Sequence, residues 1–135
     1  MIGLDTNVLV RYLLDDDPHW SPIVTRFLDE ELTPERPGFI NPITLVELVW
    51  VLRRKPGYDR GKLSDLIESL LTSDSVVLGE APAVARALAA FRDGSAGFAD
   101  YLIAELNEQA GASPTVTINR KASKSFPFTP ISQGV

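Results

Sequence analysis

The chain begins with apolar residues around a glycine, Ile2-Gly3-Leu4, meets a polar triplet, Asp5-Thr6-Asn7, and then resumes with a different apolar period. Residues 1–5 read as a short buried strand. Val8, Leu9, Tyr12 and Leu13 recur at helical spacing, which predicts a helix over 7–14 that ends at Asp15-Asp16-Asp17-Pro18. A second helix is expected over 21–32, with Ser21 as N-cap and Pro22 at the first helical position. Ile23, Val24, Phe27 and Leu28 form its apolar face. The stretch 33–38 is a loop and Phe39-Ile40-Asn41 a short strand.

Pro42 opens a third helix over 43–54. It closes on Arg53-Arg54-Lys55, where cations suit the helix dipole, and Pro56-Gly57 stops it. A fourth helix spans 59–72. Ser75–Gly79 is a β-branched strand. Helices follow at 81–92 and 98–110, the latter closed by Gly111, and residues 115–118 form another strand. Pro130-Ile131-Ser132 suggests a last edge strand. Strands alternating with helices predict an α/β fold whose mainly parallel sheet is covered by helices on both sides. No repeat, low-complexity segment or linker interrupts residues 1–135, so a single domain is expected.

Composition narrows the chemistry. At 135 residues, 44% hydrophobic and 23% charged, the chain can bury a real core. Without cysteine, disulfides and Cys-based zinc sites are excluded, which suits a reducing cytosol. One histidine excludes His-rich metal centres. The start carries no basic region followed by an apolar stretch, so no signal peptide is expected. No apolar run approaches the roughly 20 residues of a membrane helix. A net charge of −5 argues against a protein that coats nucleic acid. It does not exclude an enzyme reaching nucleic acid through metal ions, because a divalent ion inverts the charge of an acidic cleft.

Three acids stand out. In a parallel sheet the ligand crevice lies beyond the carboxyl ends of the strands. Asp5 follows the first strand there, and Asn119 follows the strand at 115–118; the two are neighbours if those strands lie side by side. From Ile43 to Leu52 every residue is apolar except Thr44 and Glu47, which share a face with Trp50. A carboxylate in such a helix is costly unless paired, protonated or bound to a cation. The alternative is a Glu47 that faces solvent or pairs with Arg54 or Lys55. Asp100 sits in the first turn of the helix at 98–110, where the dipole alone favours an acid. Asp5 or Thr6 could equally serve as a helix cap. Taken together, oxygen ligands without histidine or cysteine suit magnesium or manganese rather than zinc. Such an ion supports phosphodiester hydrolysis.

Four segments carry a resemblance: GLDTNVLVRYLL at the start, PITLVELVWVL at 42–52, FADYLIAELNEQAG at 98–111 and TVTINRKASK at 115–124. In this order and spacing they resemble the PIN-domain nuclease family, and most closely the VapC-type toxins of toxin–antitoxin pairs. The resemblance implies a three-layer α/β/α fold around a mainly parallel sheet of four to five strands. It implies an Mg2+- or Mn2+-dependent endoribonuclease, with RNA such as a transfer RNA as substrate. Asp5, Glu47 and Asp100 take the family's catalytic and metal-holding positions. Thr6 matches a hydroxyl that orients the site, and Thr117 a supporting hydroxyl. Family members are often homodimers, held inactive by a VapB-like antitoxin whose tail covers the acidic cleft. One position departs from the pattern: Asn119 stands where a fourth acid is usual, offering an oxygen without charge. A catalytically weak PIN-fold module that binds RNA or protein is the alternative function. A phosphatase of the haloacid-dehalogenase type is excluded, because its second acid would fall at Asn7.

The remaining candidates have plainer alternatives. Arg120, Lys121 and Lys124 could meet RNA phosphates or simply solvate a surface. Arg11, one turn beyond Asn7, could face the cleft. Arg53, Arg54 and Lys55 are expected to serve the helix end. Asp15–Asp17 reads as a solvated turn, His19 as a loop residue, Trp50 as core or dimer interface, and Phe126 and Phe128 as late core.

Overall fold

Ile40 is fully buried in the middle strand of a three-stranded parallel sheet. The computed structural model describes residues 1–124 and 127–131. Strand β1 (Ile2–Gly3) pairs with β2 (Gly38–Ile40), placing Ile2 opposite Gly38 and Gly3 opposite Phe39. Strand β2 pairs in turn with β3 (Val76–Leu78), from Gly38 opposite Val76 to Ile40 opposite Leu78. A Cβ at Gly38 would stand 2.7 Å from Leu4 Cδ1 and 3.0 Å from Leu32 Cδ1, so any side chain there would push these two leucines aside.

The chain falls into two compact units, Met1–Ala81 and Pro82–Val135. The first unit holds this sheet and four helices: α1 (Thr6–Leu14), α2 (Trp20–Glu31), α3 (Pro42–Leu52) and α4 (Arg60–Thr72). Helix α1 packs on both α2 and α3, and α4 packs on β3. The core gathers Ile40 with Leu45, Leu48 and Leu52 from α3 and Ile67 from α4, all 0–1% exposed. Asn41 caps α3, accepting a hydrogen bond from Thr44 N–H at 3.0 Å, and Pro42 follows where a missing N–H costs nothing. This cap fixes the start of the helix that carries Glu47.

Helix α2 begins differently from its expected start. Ser21 is not the cap. It is 1% exposed, and its hydroxyl donates to Arg11 O at 2.9 Å, tying α2 to the end of α1. The N-cap position is His19, whose side chain makes no cap hydrogen bond; Asp17 ahead of it accepts through Oδ1 from Trp20 N–H at 2.8 Å and His19 N–H at 2.9 Å. Of the expected apolar face only Val24 is buried, while Ile23 and Phe27 are 48% and 39% exposed.

The second unit holds α5 (Ala81–Asp93), α6 (Phe98–Gln109), β4 (Thr115–Thr117), a 3-10 turn at Ala122–Lys124 and β5 (Phe128–Pro130). Phe91 and Phe98 meet edge to face at 5.9 Å between ring centres, joining α5 to α6. Tyr101 stacks at a tilt on Phe128, 5.7 Å away, which anchors β5 to α6. Strands β4 and β5 pair in parallel, Thr115 opposite Phe128. The α/β class therefore holds, with five strands divided into ladders of three and two among the described residues. The last strand starts two residues earlier than its expected position. Phe126 and Ser132 lie outside the described residues.

Candidate active site

In the first unit, Asp5 follows β1 and occupies the N-cap position of α1 with extended backbone, φ −85° and ψ 156°. Its side chain makes no cap hydrogen bond. The carboxylate is exposed and remains available at the carboxyl edge of the sheet. Thr6, the next residue, is buried and does not cap the helix either. Its Oγ1 donates to Glu47 Oε1 at 3.3 Å, across 41 positions of sequence. The packing of α1 on α3 creates this contact, so the one acid of α3 is turned toward the residue beside Asp5.

Glu47 is exposed, as the solvent-facing alternative had it, and its hydroxyl partner is Thr6 rather than Arg54 or Lys55. Arg54 is engaged elsewhere, with Cζ 3.7 Å from the centre of the Trp50 ring. Trp50 itself is 49% exposed and is not core. The apolar run of α3 concealed this: Leu45, Leu48, Val49 and Leu52 take the buried side, leaving Ile43, Glu47 and Trp50 outside. Arg11 is held in place by acids of the following turn, Asp16 at 3.5 Å and Asp17 at 3.8 Å. The Asp15–Asp17 run is accordingly structural, with Asp15 in left-handed backbone at φ 49° closing α1 and Asp17 opening α2. The Trp20 amide lowers the Asp17 carboxyl below the ordinary carboxylate range.

In the second unit, Asp100 lies in the first turn of α6, and its Oδ2 accepts from Gly97 N–H at 3.1 Å. The helix-start role is therefore real, and Asp100 still carries a second carboxylate oxygen. Thr117 ends β4, and its Oγ1 accepts from Asn119 N–H at 2.9 Å. Asn119 Oδ1 accepts from Lys121 N–H at 2.9 Å and Ala122 N–H at 3.3 Å, which caps the 3-10 turn. Arg120, Lys121 and Lys124 are exposed around this turn. Strand β1 is laddered to β2 and β4 to β5, so the ends bearing Asp5 and Asn119 belong to separate ladders.

Two residues of the carboxyl edge escaped the sequence reading. Asn41 was assigned to a strand, although an Asn directly before a Pro at a helix start is a capping signal. Glu80 follows β3 on the same edge in left-handed backbone, φ 56°, which leaves no trace in hydrophobic periodicity. Among the described residues, no three Asp, Glu, His or Cys side chains are gathered as a ready-made metal cluster. The donors in the first unit nonetheless fit a hard divalent ion. They are carboxylate oxygens, that of Asp5 free of any capping duty and that of Glu47 steadied by a hydroxyl, with no soft ligand among them.

No helix among the described residues is long and apolar enough to cross a membrane. A search of curated proteins finds no match. A comparison with protein families matches residues 2–124 to the PIN domain, whose members are typically metal-dependent nucleases. With nearly its whole length matched, the chain belongs to the PIN domain family.

Proposed function

We propose that this protein is a magnesium- or manganese-dependent endoribonuclease that serves as the toxin of a toxin–antitoxin pair, in the manner of VapC-type proteins. The observation that carries the reading is the hydrogen bond from Thr6 to Glu47. It ties the single acid of a hydrophobic helix to Thr6, the residue that follows Asp5 in sequence, and parallel sheets bind ligands beyond the carboxyl ends of their strands. We assign metal-holding and catalytic roles to Asp5, Glu47 and Asp100 within one nuclease domain spanning 1–135. A divalent ion held there would supply positive charge to a phosphoryl oxygen and to the leaving oxygen and would make a bound water more acidic.

The chain's own groups then have defined tasks. Thr6 holds the Glu47 carboxylate in one orientation. Thr117 and Asn119 shape the turn that presents Arg120 and Lys121 to RNA phosphates. Arg11 would reach a phosphate only by leaving Asp16 and Asp17. The partners that fit this reading are a structured RNA such as a transfer RNA, a VapB-like antitoxin covering the acidic residues, and a second copy of the chain in a homodimer, all in the cytoplasm. The test is cleavage of transfer RNA by purified protein with magnesium or manganese. Asp5→Asn and Asp100→Asn are expected to abolish it. Unchanged, EDTA-resistant cleavage in both variants would overturn the mechanism. A second reading, a PIN-fold module that binds RNA or protein without cutting, is favoured by one observation: the fourth acidic position is an asparagine whose oxygen is committed to backbone amides. Absence of growth arrest on expression, together with absence of metal binding by calorimetry, would select it.

A further inference from the structure

Five of the thirteen Lys and Arg residues fall within ten positions: Arg53, Arg54, Lys55, Arg60 and Lys62. In a chain of net charge −5 this is a strong local concentration of the opposite sign. One aromatic residue, Tyr58, lies among them and another, Trp50, just before them, each with a cation four positions later. Arg54 covers the Trp50 ring at 3.7 Å, and Lys62 Nζ lies 4.6 Å from the centre of the Tyr58 ring. The one acid of this stretch, Asp59, has its Oδ1 turned to Lys62 N–H at 2.9 Å as the cap of α4. Among the described residues, none of Arg53, Arg54, Lys55 and Lys62 is held in an ion pair. With Arg54 over it, Trp50 still exposes 49% of its surface.

We propose that Trp50 to Lys62 is a docking strip for a single-stranded segment of RNA, such as a loop of a structured RNA, leading into the Glu47 edge, a proposal that takes RNA as substrate from the nuclease reading above. Single-stranded nucleic acid is held by cations that track the phosphates and by aromatic faces on which bases stack. Both are present, and no base edge need be read. Trp50 lies three residues after Glu47 on the same face of α3, about 4.5 Å along the helix axis. A nucleotide stacked on Trp50 is therefore a near neighbour of any phosphate at Glu47. Arg54 stiffens the indole and offers its guanidinium to the next phosphate. The turn at Pro56-Gly57, with Gly57 in left-handed backbone at φ 85°, carries the chain from the first aromatic–cation pair to the second.

The experiment is fluorescence anisotropy of a labelled single-stranded oligouridylate with the full chain in EDTA, where no cutting occurs. Trp50→Ala is expected to weaken binding about tenfold, and Trp50→Phe to restore most of it. Replacing Arg53, Arg54 and Lys55 together with Ala is expected to lower the salt slope of log affinity by about 2, at about 0.7 per lost phosphate contact. Arg36→Ala, whose guanidinium is paired with Glu31, is the control and is expected to leave binding unchanged. Wild-type affinity in Trp50→Ala and the triple variant, or no binding by the wild type, overturns the strip. So does a Trp50→Ala variant that shifts only from dimer to monomer in sedimentation, which gives the face to a second copy of the chain. Metal-dependent cleavage measured on the same preparations separates the two claims. Cleavage by the wild type with unaltered RNA binding in the strip variants rejects the strip alone. Binding lost in Trp50→Ala without any wild-type cleavage rejects the nuclease alone.

Discussion

Thr6 Oγ1 donates to Glu47 Oε1 at 3.3 Å, joining the first residue of α1 to the middle of α3. The bond orients a carboxylate that could otherwise sweep through solvent. Thr6→Val keeps the shape of a buried side chain and removes the donor. Stability is expected to fall by about 1 kcal/mol, the usual net worth of one hydrogen bond. Metal affinity or cleavage is expected to fall by more, about 10- to 100-fold, as when a group that orients a metal ligand is lost. Thr6→Ser is expected to recover most of both. Calorimetric titration with manganese beside a thermal melt checks the split, and equal losses in Thr6→Ser and Thr6→Val would reject the hydrogen bond as the cause.

Asp5 stands at a helix N-cap without capping it. A side chain selected for the helix would accept from an amide of the first turn, as Asn41, Asp17 and Asp59 all do. Asp5→Ala is therefore expected to leave the melting temperature nearly unchanged while removing metal binding and cleavage. A drop in melting temperature comparable to that of Asn41→Ala would identify Asp5 as a structural residue.

Asp17 gives the fold a pH dependence. The Trp20 amide lowers its carboxyl in the folded state, helped by the His19 amide and Arg11, against the opposing effect of burial. The group therefore contributes stability that is fully present above the unfolded value of about 3.9 and lost as pH falls through the lower folded value. Asp17→Asn keeps an acceptor for Trp20 but cannot ionise. The melting temperature of the variant is expected to lie below wild type near neutrality and to converge with it in strong acid. A constant gap at all pH values would show that the charge contributes nothing.

The elements were legible because their cues are local. The switch from apolar period 2 to 3.6 after Leu4, Pro42 after Asn41, and Gly111 after α6 each mark an end within one or two residues. What periodicity could not show is which face of an almost wholly apolar helix is buried. Trp50 was expected in the core or at a dimer interface; Leu45, Leu48, Val49 and Leu52 fill the buried side of α3 and leave it exposed. The Asp15–Asp17 run does more than its charges showed. Asp15 and Asp16 are exposed, as those charges suggested, but Asp17 also accepts from two backbone amides, and Asp16 and Asp17 hold Arg11. The division of the strands into two ladders depends on pairing between distant segments, which composition and spacing do not encode.

Asn119 tests whether the missing fourth acid matters. Its Oδ1 caps the 3-10 turn through the amides of Lys121 and Ala122, and an aspartate can accept the same two hydrogen bonds. Asn119→Asp is therefore expected to fold as the wild type, and a carboxylate beside backbone amides is favoured there electrostatically. If Asn119 stands near the metal, the added charge is expected to strengthen manganese binding by about tenfold and to raise cleavage at low metal concentration, because hard cations gain from each added carboxylate. Asn119→Ala is expected to loosen the turn and reduce RNA binding through Arg120 and Lys121 without changing metal affinity. Identical metal affinity in wild type and Asn119→Asp would confine the residue to its capping role and remove it from the metal site.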